Sequence, residues 1–427
     1  MTIYEAERAG ENAGRGALTT GALLVAFVAF GIYWLTAVLL DAREAAWHFG
    51  ADSHHYAMLA DMHVHHRAAR FHPVTTALGL TWMKIFAPLT FWLAPATLLK
   101  AMFATVGALG VWAAMSAFAV LLPRGYALLG GILYASSLGV WYFSSIPESK
   151  IVTATLSVLY IAAYIRLRER WSVSGVIALS AILALACLNE IAAAFLLAIP
   201  VLDVLRARGL DWRHVRWLTA HAPAVLVAWV VLEVIVNGWL VPTSGDPEAK
   251  SHVSMFLFYL VKNDYGIATI HGFIANWFFF NLVAPTPYAL QWPQAGGYFA
   301  STLLAYSASP LALSTLIVIA VIGAASLLPR YRAASLGPAG GLLLPLAAYA
   351  LVRAVFFFIF NPTEALLFSP AVTIVHWLIL LAPFAASRFP AKRRVLALLC
   401  LLLFATNAGF MLGPNGWSGF VGHFAGS

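Results

Sequence analysis

Apolar runs of roughly 15 to 27 residues, separated by short polar junctions, occupy most of the chain. A helix rises 1.5 Å per residue and a bilayer core is about 30 Å thick, so a run of about 20 apolar residues reads as a membrane span. The pattern predicts spans at 17–40, 97–122, 125–143, 151–167, 174–188, 191–205, 214–240, 303–328, 337–359, 365–386 and 395–412, eleven in all. The chain is therefore expected to be an all-α polytopic membrane protein. The alternating ten-residue segments of a transmembrane barrel are absent. The spans 174–188 and 191–205 are short and form a candidate bent pair around Asn189-Glu190.

Two segments break the rhythm. Residues 73–94, PVTTALGLTWMKIFAPLTFWLA, are interrupted by Lys84 and Pro88 and read as an interfacial or re-entrant helix. Residues 241–302 mix PTSGDPEAK with the aromatic FIANWFFFNLVAPTPYALQW, and read as loops with short surface helices, with room for one helical hairpin. One transmembrane domain is expected over 1–427. Within it, 41–96 is a first outer loop with interfacial helices, 97–240 a helical core, 241–302 an outer loop and 303–427 a C-terminal helical module.

Composition agrees, with 62% hydrophobic and 10% charged residues, against about 25% charged in soluble domains. The net charge of +8 does not point to nucleic acid, because the basic residues cluster at span ends. With the N-terminus in the cytoplasm, 16 of the 25 lysines and arginines fall on cytoplasmic positions, provided 73–94 does not cross. Crossing there would invert every later loop. The apolar run after the polar first 16 residues is too long for a signal-peptide core and reads as a retained span. Cys187 and Cys400 both lie in apolar spans and imply no disulfide framework.

That topology sorts the acids. Asp41, Glu44, Asp52, Asp61, Glu148, Glu190 and Glu364 all fall outside, and Arg353 lies inside the span 337–359, about two turns below its outer end. Ionisable groups at such depth are costly and mark function by default. Simpler roles are open for each. Glu148 can pair with Lys150, Glu190 can sit in a solvated helix break, Glu364 can serve a helix start, and Arg353 can snorkel to headgroups.

Residues 51–73, ADSHHYAMLADMHVHHRAARFHP, hold six histidines, two aspartates and two arginines. On one helix His55, Met58, Met62 and His65 or His66 would share a stripe, a set that could hold copper. No HExxH-like signature accompanies them. An amphipathic surface helix explains the same residues.

Several features in order resemble a known family. A first span is followed by Asp-x-x-x-Tyr-Ala-x-x-Ala, present as Asp52 to Ala60 with Tyr56 at its centre. Arg70-Phe71-His72-Pro73 closes that loop, an interfacial helix follows, and a later outer loop carries Pro147-Glu148. The chain is similar to the GT-C superfamily of integral-membrane glycosyltransferases, in the branch of protein O-mannosyltransferases and the lipid A aminoarabinose transferase. The likeness covers about the first 200 residues best. It implies a GT-C-like core and transfer of a sugar from a polyprenyl-phosphate-linked donor to a glycan, lipid or protein acceptor. The reaction would take place at the outer face of a bacterial inner membrane, with membrane lipids as partners. It implies catalytic Asp52 and Glu148. Beside them, Arg353, Arg70 and His72 are candidates for the donor phosphate, and Tyr56, Lys150, Asn189, Glu190 and Glu364 for the substrate pocket. The sequence departs from the family at Asp52-Ser53, where many relatives pair two acids, and at Phe71-His72-Pro73, where some have Lys-Pro-Pro. Some members use a divalent metal ion, which these residues do not specify.

Two other classes compete. A transporter or channel would use Glu148, Glu190, Glu233 and Arg353 as a polar pathway, but no internal repeat accompanies them. A non-catalytic subunit would use the His/Met stripe for a cofactor.

Overall fold

The structure is a computed structural model that describes residues 3–41, 53–123, 125–168, 170–207, 212–239, 260–263, 265–284, 309–328, 336 and 339–412. The described residues are helical, with no strand among them. In chain order the helices are α1 (Ile3–Asp41), α2 (Ser53–Ala57), α3 (His66–Phe71), α4 (Pro73–Phe86), α5 (Pro95–Leu121), α6 (Tyr126–Ser136), α7 (Leu138–Ser145), α8 (Lys150–Leu167) and α9 (Val173–Asn189). There follow α10 (Ala198–Ala207), α11 (Trp212–Trp239), α12 (Ile267–Ile274), α13 (Pro310–Leu327), α14 (Leu343–Phe360), α15 (Ala365–Phe368), α16 (Thr373–Ala386) and α17 (Lys392–Leu412).

Among the described residues eight helical stretches are long and apolar enough to cross a membrane, or nine if α6 and α7, bent by 56°, form one broken span. The expected span 174–188 is the shorter apolar helix α9. The expected span 191–205 divides into a 3-10 stretch, Ile191–Leu197, and α10. The segment 73–94 yields the 14-residue α4, whose length of about 21 Å is less than a bilayer core. Beyond α4, Leu89, Phe91 and Trp92 are exposed.

Polarity is distributed as lipid solvent requires. Leu23, Leu24 and Phe27 of α1 and Leu226, Val227, Val230 and Val231 of α11 are exposed, whereas Lys100, Glu148, Asn189, Asp203, His221 and Arg353 are buried. Helices meeting in lipid gain little from the hydrophobic effect and pack through small residues. Gly107 of α5 is one such contact. A Cβ there would lie 2.0 Å from Ser144 Oγ of α7, so only glycine permits this approach.

The broken span frees backbone groups that lipid cannot satisfy. The stretch after α12 supplies the partners. Leu138 and Gly139 donate their N–H groups to the carbonyls of Leu282 and Asn281, at 3.1 and 2.9 Å. Trp377 Nε1 donates to Ser137 Oγ at 2.8 Å, and Asn407 Nδ2 donates to the Ser136 and Leu282 carbonyls at 2.6 and 2.8 Å. Within 241–302, Trp277, Phe280, Val283 and Ala284 are buried. The break matters because it delivers the chain from α7 into Ile146–Ser149 and the start of α8.

Candidate functional site

Four separate stretches of chain meet in one buried polar centre at the start of α8. The first is the loop from Ser53 to Thr75. The second is Glu148-Ser149-Lys150, the third is Asn189-Glu190 at the end of α9, and the fourth is Arg353 on α14. Ser145 ends α7 and Pro147 prevents its continuation. Glu148 then turns back on its neighbour, its Oε1 accepting from Ser149 N at 2.8 Å and Ser149 Oγ at 3.0 Å. Its Oε2 accepts from Ser53 Oγ at 3.5 Å, joining residues 95 positions apart. Glu148 is 1% exposed.

Asn189 is the hub. Its Oδ1 accepts from Thr75 N at 3.0 Å and Thr75 Oγ1 at 2.8 Å. Its Nδ2 donates to Thr153 Oγ1 at 2.9 Å and the Ser149 carbonyl at 3.4 Å. Its own carbonyl oxygen lies 2.6 Å from His72 Nδ1. A single amide thus satisfies both its donors and its acceptor, and fixes α4, α8 and α9 relative to one another.

Glu190 leaves the helix in extended geometry, φ −156°, which turns its side chain toward α14. Arg353 Nη2 donates to Glu190 Oε1 in a buried ion pair and lies 3.5 Å from the Phe368 carbonyl. Arg353 is therefore 1% exposed and does not snorkel. Its Nε and Nη1, and Glu190 Oε2, are buried without a hydrogen-bond partner. Beneath the pair is an aromatic floor. Phe357 and Phe368 stack at 3.8 Å, with Arg353 Cζ 4.8 Å from the first ring and Lys150 Nζ 4.6 Å from the second. Burial pushes the Glu190 pKa up, but the positive charges of Arg353 and Lys150, the Arg353 hydrogen bond and His72 outweigh it and hold the carboxyl below its usual 4.5.

The other sequence candidates fall as follows. Tyr56 is fully buried, its ring 6.2 Å from that of His72. Glu364 is half-buried in the 3-10 turn Pro362–Glu364, which opens the segment leading to Phe368. Arg70 is exposed, its guanidinium over Phe71 at 5.8 Å and outside the buried centre. Asp52 lies outside the described residues; Ser53, next to it in sequence, is bound to Glu148.

The proposed His/Met stripe does not form. The helix stops after Ala57, a 3-10 turn covers Met58–Asp61, and Met62 adopts a left-handed φ of 61° before α3 begins at His66. Met58 and Met62 are exposed while His55 and His65 stack ring on ring at 3.7 Å. Among the described residues no three His, Cys, Asp or Glu side chains converge as a metal-binding group.

No family model matches the chain, and no curated protein matches it. The chain is similar to solved structures of ArnT. One is ArnT from Cupriavidus metallidurans in the apo state, at 15% identity and TM-score 0.38, covering 87% of this chain and 78% of that one. The other is ArnT from Cupriavidus metallidurans bound to undecaprenyl phosphate, at 13% identity and TM-score 0.37, covering 85% and 77%.

Several contributors lay outside the sequence reading. Thr75 and Thr153 bind Asn189, and Ser53 binds Glu148. Lys100, 0% exposed near the start of α5, donates from Nζ to the Ala37 carbonyl in the last turns of α1 at 3.1 Å. A lysine within an apolar run was the available signal for the last of these.

Proposed function

We propose that the protein transfers a sugar from a polyprenyl-phosphate-linked donor to an acceptor at the outer face of a bacterial inner membrane. The observation that carries this reading is Arg353, a buried guanidinium with two unpartnered N–H-bearing nitrogens, beside Lys150 and over an aromatic floor. A guanidinium with spare donors suits a phosphate, and the apolar helices around it suit the lipid tail.

In this reading Asp52 takes the proton from the acceptor hydroxyl or amine as that atom attacks the anomeric carbon. The carbon–oxygen bond to phosphate breaks, the sugar inverts, and the polyprenyl phosphate leaves with the bonding electrons. Arg353 and Lys150 stabilise the charge that grows on the leaving phosphate, and His72 adds a hydrogen bond. Glu148 holds Ser53 and thereby the chain next to Asp52. Electrostatic preorganisation of this kind commonly accounts for 10²–10³ in rate per donor.

The test is release of polyprenyl phosphate from a polyprenyl-phosphate-linked sugar by the purified protein, with Asp52→Asn and Arg353→Ala. Both variants should lose at least about a hundredfold in turnover. Normal turnover by Arg353→Ala overturns the reading.

A further inference from the structure

We propose that Glu190 selects the charge state of the lipid phosphate this centre accepts, favouring a singly charged sugar phosphodiester over the doubly charged phosphomonoester left after transfer. This rests on the reading of Arg353 as the phosphate ligand. Glu190 Oε1 already takes Arg353 Nη2, so a phosphate must approach one of the remaining nitrogens, Nε or Nη1. The carboxylate and the phosphate then share one guanidinium and lie within the ~4–6 Å over which like charges act strongly on each other.

The charges facing the centre come from four elements. Arg353 projects from α14, Lys150 from the first turn of α8, Glu190 from the end of α9 and Glu148 from the turn before α8, with His72 at the junction of α3 and α4. Among the described residues two formal positive charges face two formal negative ones, and Asp52, outside them, adds a further negative charge if it is the base proposed above. A phosphodiester adds one negative charge against the spare donors of Arg353. A phosphomonoester ionises a second time near pH 6, and no unbalanced cation is left for that second charge. Glu190 is held ionised well below neutral pH by Arg353 and Lys150 despite burial, so between pH 5.5 and 8.5 Glu190 keeps its charge while the monoester titrates. The chemical consequence is directional: Arg353 and Lys150 offset the charge that grows as the bond breaks, and Glu190 makes the fully ionised monoester bind more weakly than the diester it came from, which favours product release.

The test measures binding of undecaprenyl phosphate and of its methyl diester, singly charged at every pH used, to the full-length protein in detergent from pH 5.5 to 8.5. Wild-type affinity for the monoester should fall about tenfold with rising pH, while the diester affinity stays level. Glu190→Gln should bind the monoester about tenfold tighter at pH 8.5 and lose the slope; Glu190→Asp, which keeps the charge, should retain it. A contribution from His72 would tilt both ligands alike and persist in Glu190→Gln. Weaker binding of both ligands by Glu190→Gln, or an unchanged slope, overturns the proposal. If Arg353→Ala binds both ligands normally, the underlying reading of the phosphate site fails, and this proposal falls with it.

Discussion

Arg353 and Glu190 stand 163 residues apart in sequence and form a buried ion pair. Desolvating both charges is expensive, and removing one partner leaves the other buried and uncompensated. Arg353→Ala should therefore lower stability by about 3–5 kcal/mol, measured as thermal or denaturant unfolding in detergent. The double variant Arg353→Ala/Glu190→Ala should recover part of that loss. A loss in the double variant equal to the sum of the two single-variant losses would mean that the pair carries no coupling energy.

The same pair fixes the acid limit of stability. The folded pKa of Glu190 lies below its ordinary value of 4.5, so the unfolded chain takes up the proton first as pH falls. The stabilisation is full above the unfolded value and is lost as pH drops through the folded one. Unfolding midpoints of wild type and Glu190→Gln should differ by a constant amount from pH 8 to 5.5 and converge below about pH 4.5. A difference that instead closes as pH rises would contradict the assignment.

Asn189 should be the least replaceable uncharged residue of the centre. Asn189→Ala leaves Thr75 N and Oγ1, Thr153 Oγ1 and His72 to find other partners, at a cost of roughly 2–4 kcal/mol. Asn189→Asp keeps the acceptor for Thr75 but loses the donor to Thr153, and should cost less than Ala. The unfolding midpoints of the two variants give the order directly.

Gly107 offers a test of the bundle away from the centre. A methyl group there meets Ser144 Oγ at 2.0 Å and Ser144 Cβ at 2.7 Å. Gly107→Ala should cost about 1–3 kcal/mol by overpacking. Ser144→Ala in the same chain should relieve only part of this, because the Cβ contact remains. Full relief would place the strain in the hydroxyl alone.

Much of the centre was legible as sequence because each contributor interrupts an apolar run: Pro147-Glu148, Asn189-Glu190 and Arg353 are costly in lipid and stand out one by one. Their convergence was expected only from a shared side of the membrane; the ion pair and the Asn189 bonds show that the segments meet. Arg70 was indistinguishable from His72 in the motif; the register of α3 turns Arg70 outward while His72, at the helix junction, turns in. The His/Met stripe presumed one helix, but a left-handed non-glycine residue, Met62, breaks it, and no local pattern announces such a break. The knot formed by Asn281, Asn407, Ser137 and Trp377 was equally hidden, because its members come from four distant segments and each passes singly as a tolerated polar residue in a span.

A cryo-electron-microscopy map of the protein with undecaprenyl phosphate at pH 5.5, where the monoester is mostly singly charged, tests most directly whether Arg353 receives the phosphate of a lipid-linked ligand. The account predicts phosphate density within about 3 Å of Arg353 Nε or Nη1, with the tail passing between helices. A headgroup seated elsewhere, with Arg353 still engaged only by Glu190, would contradict it.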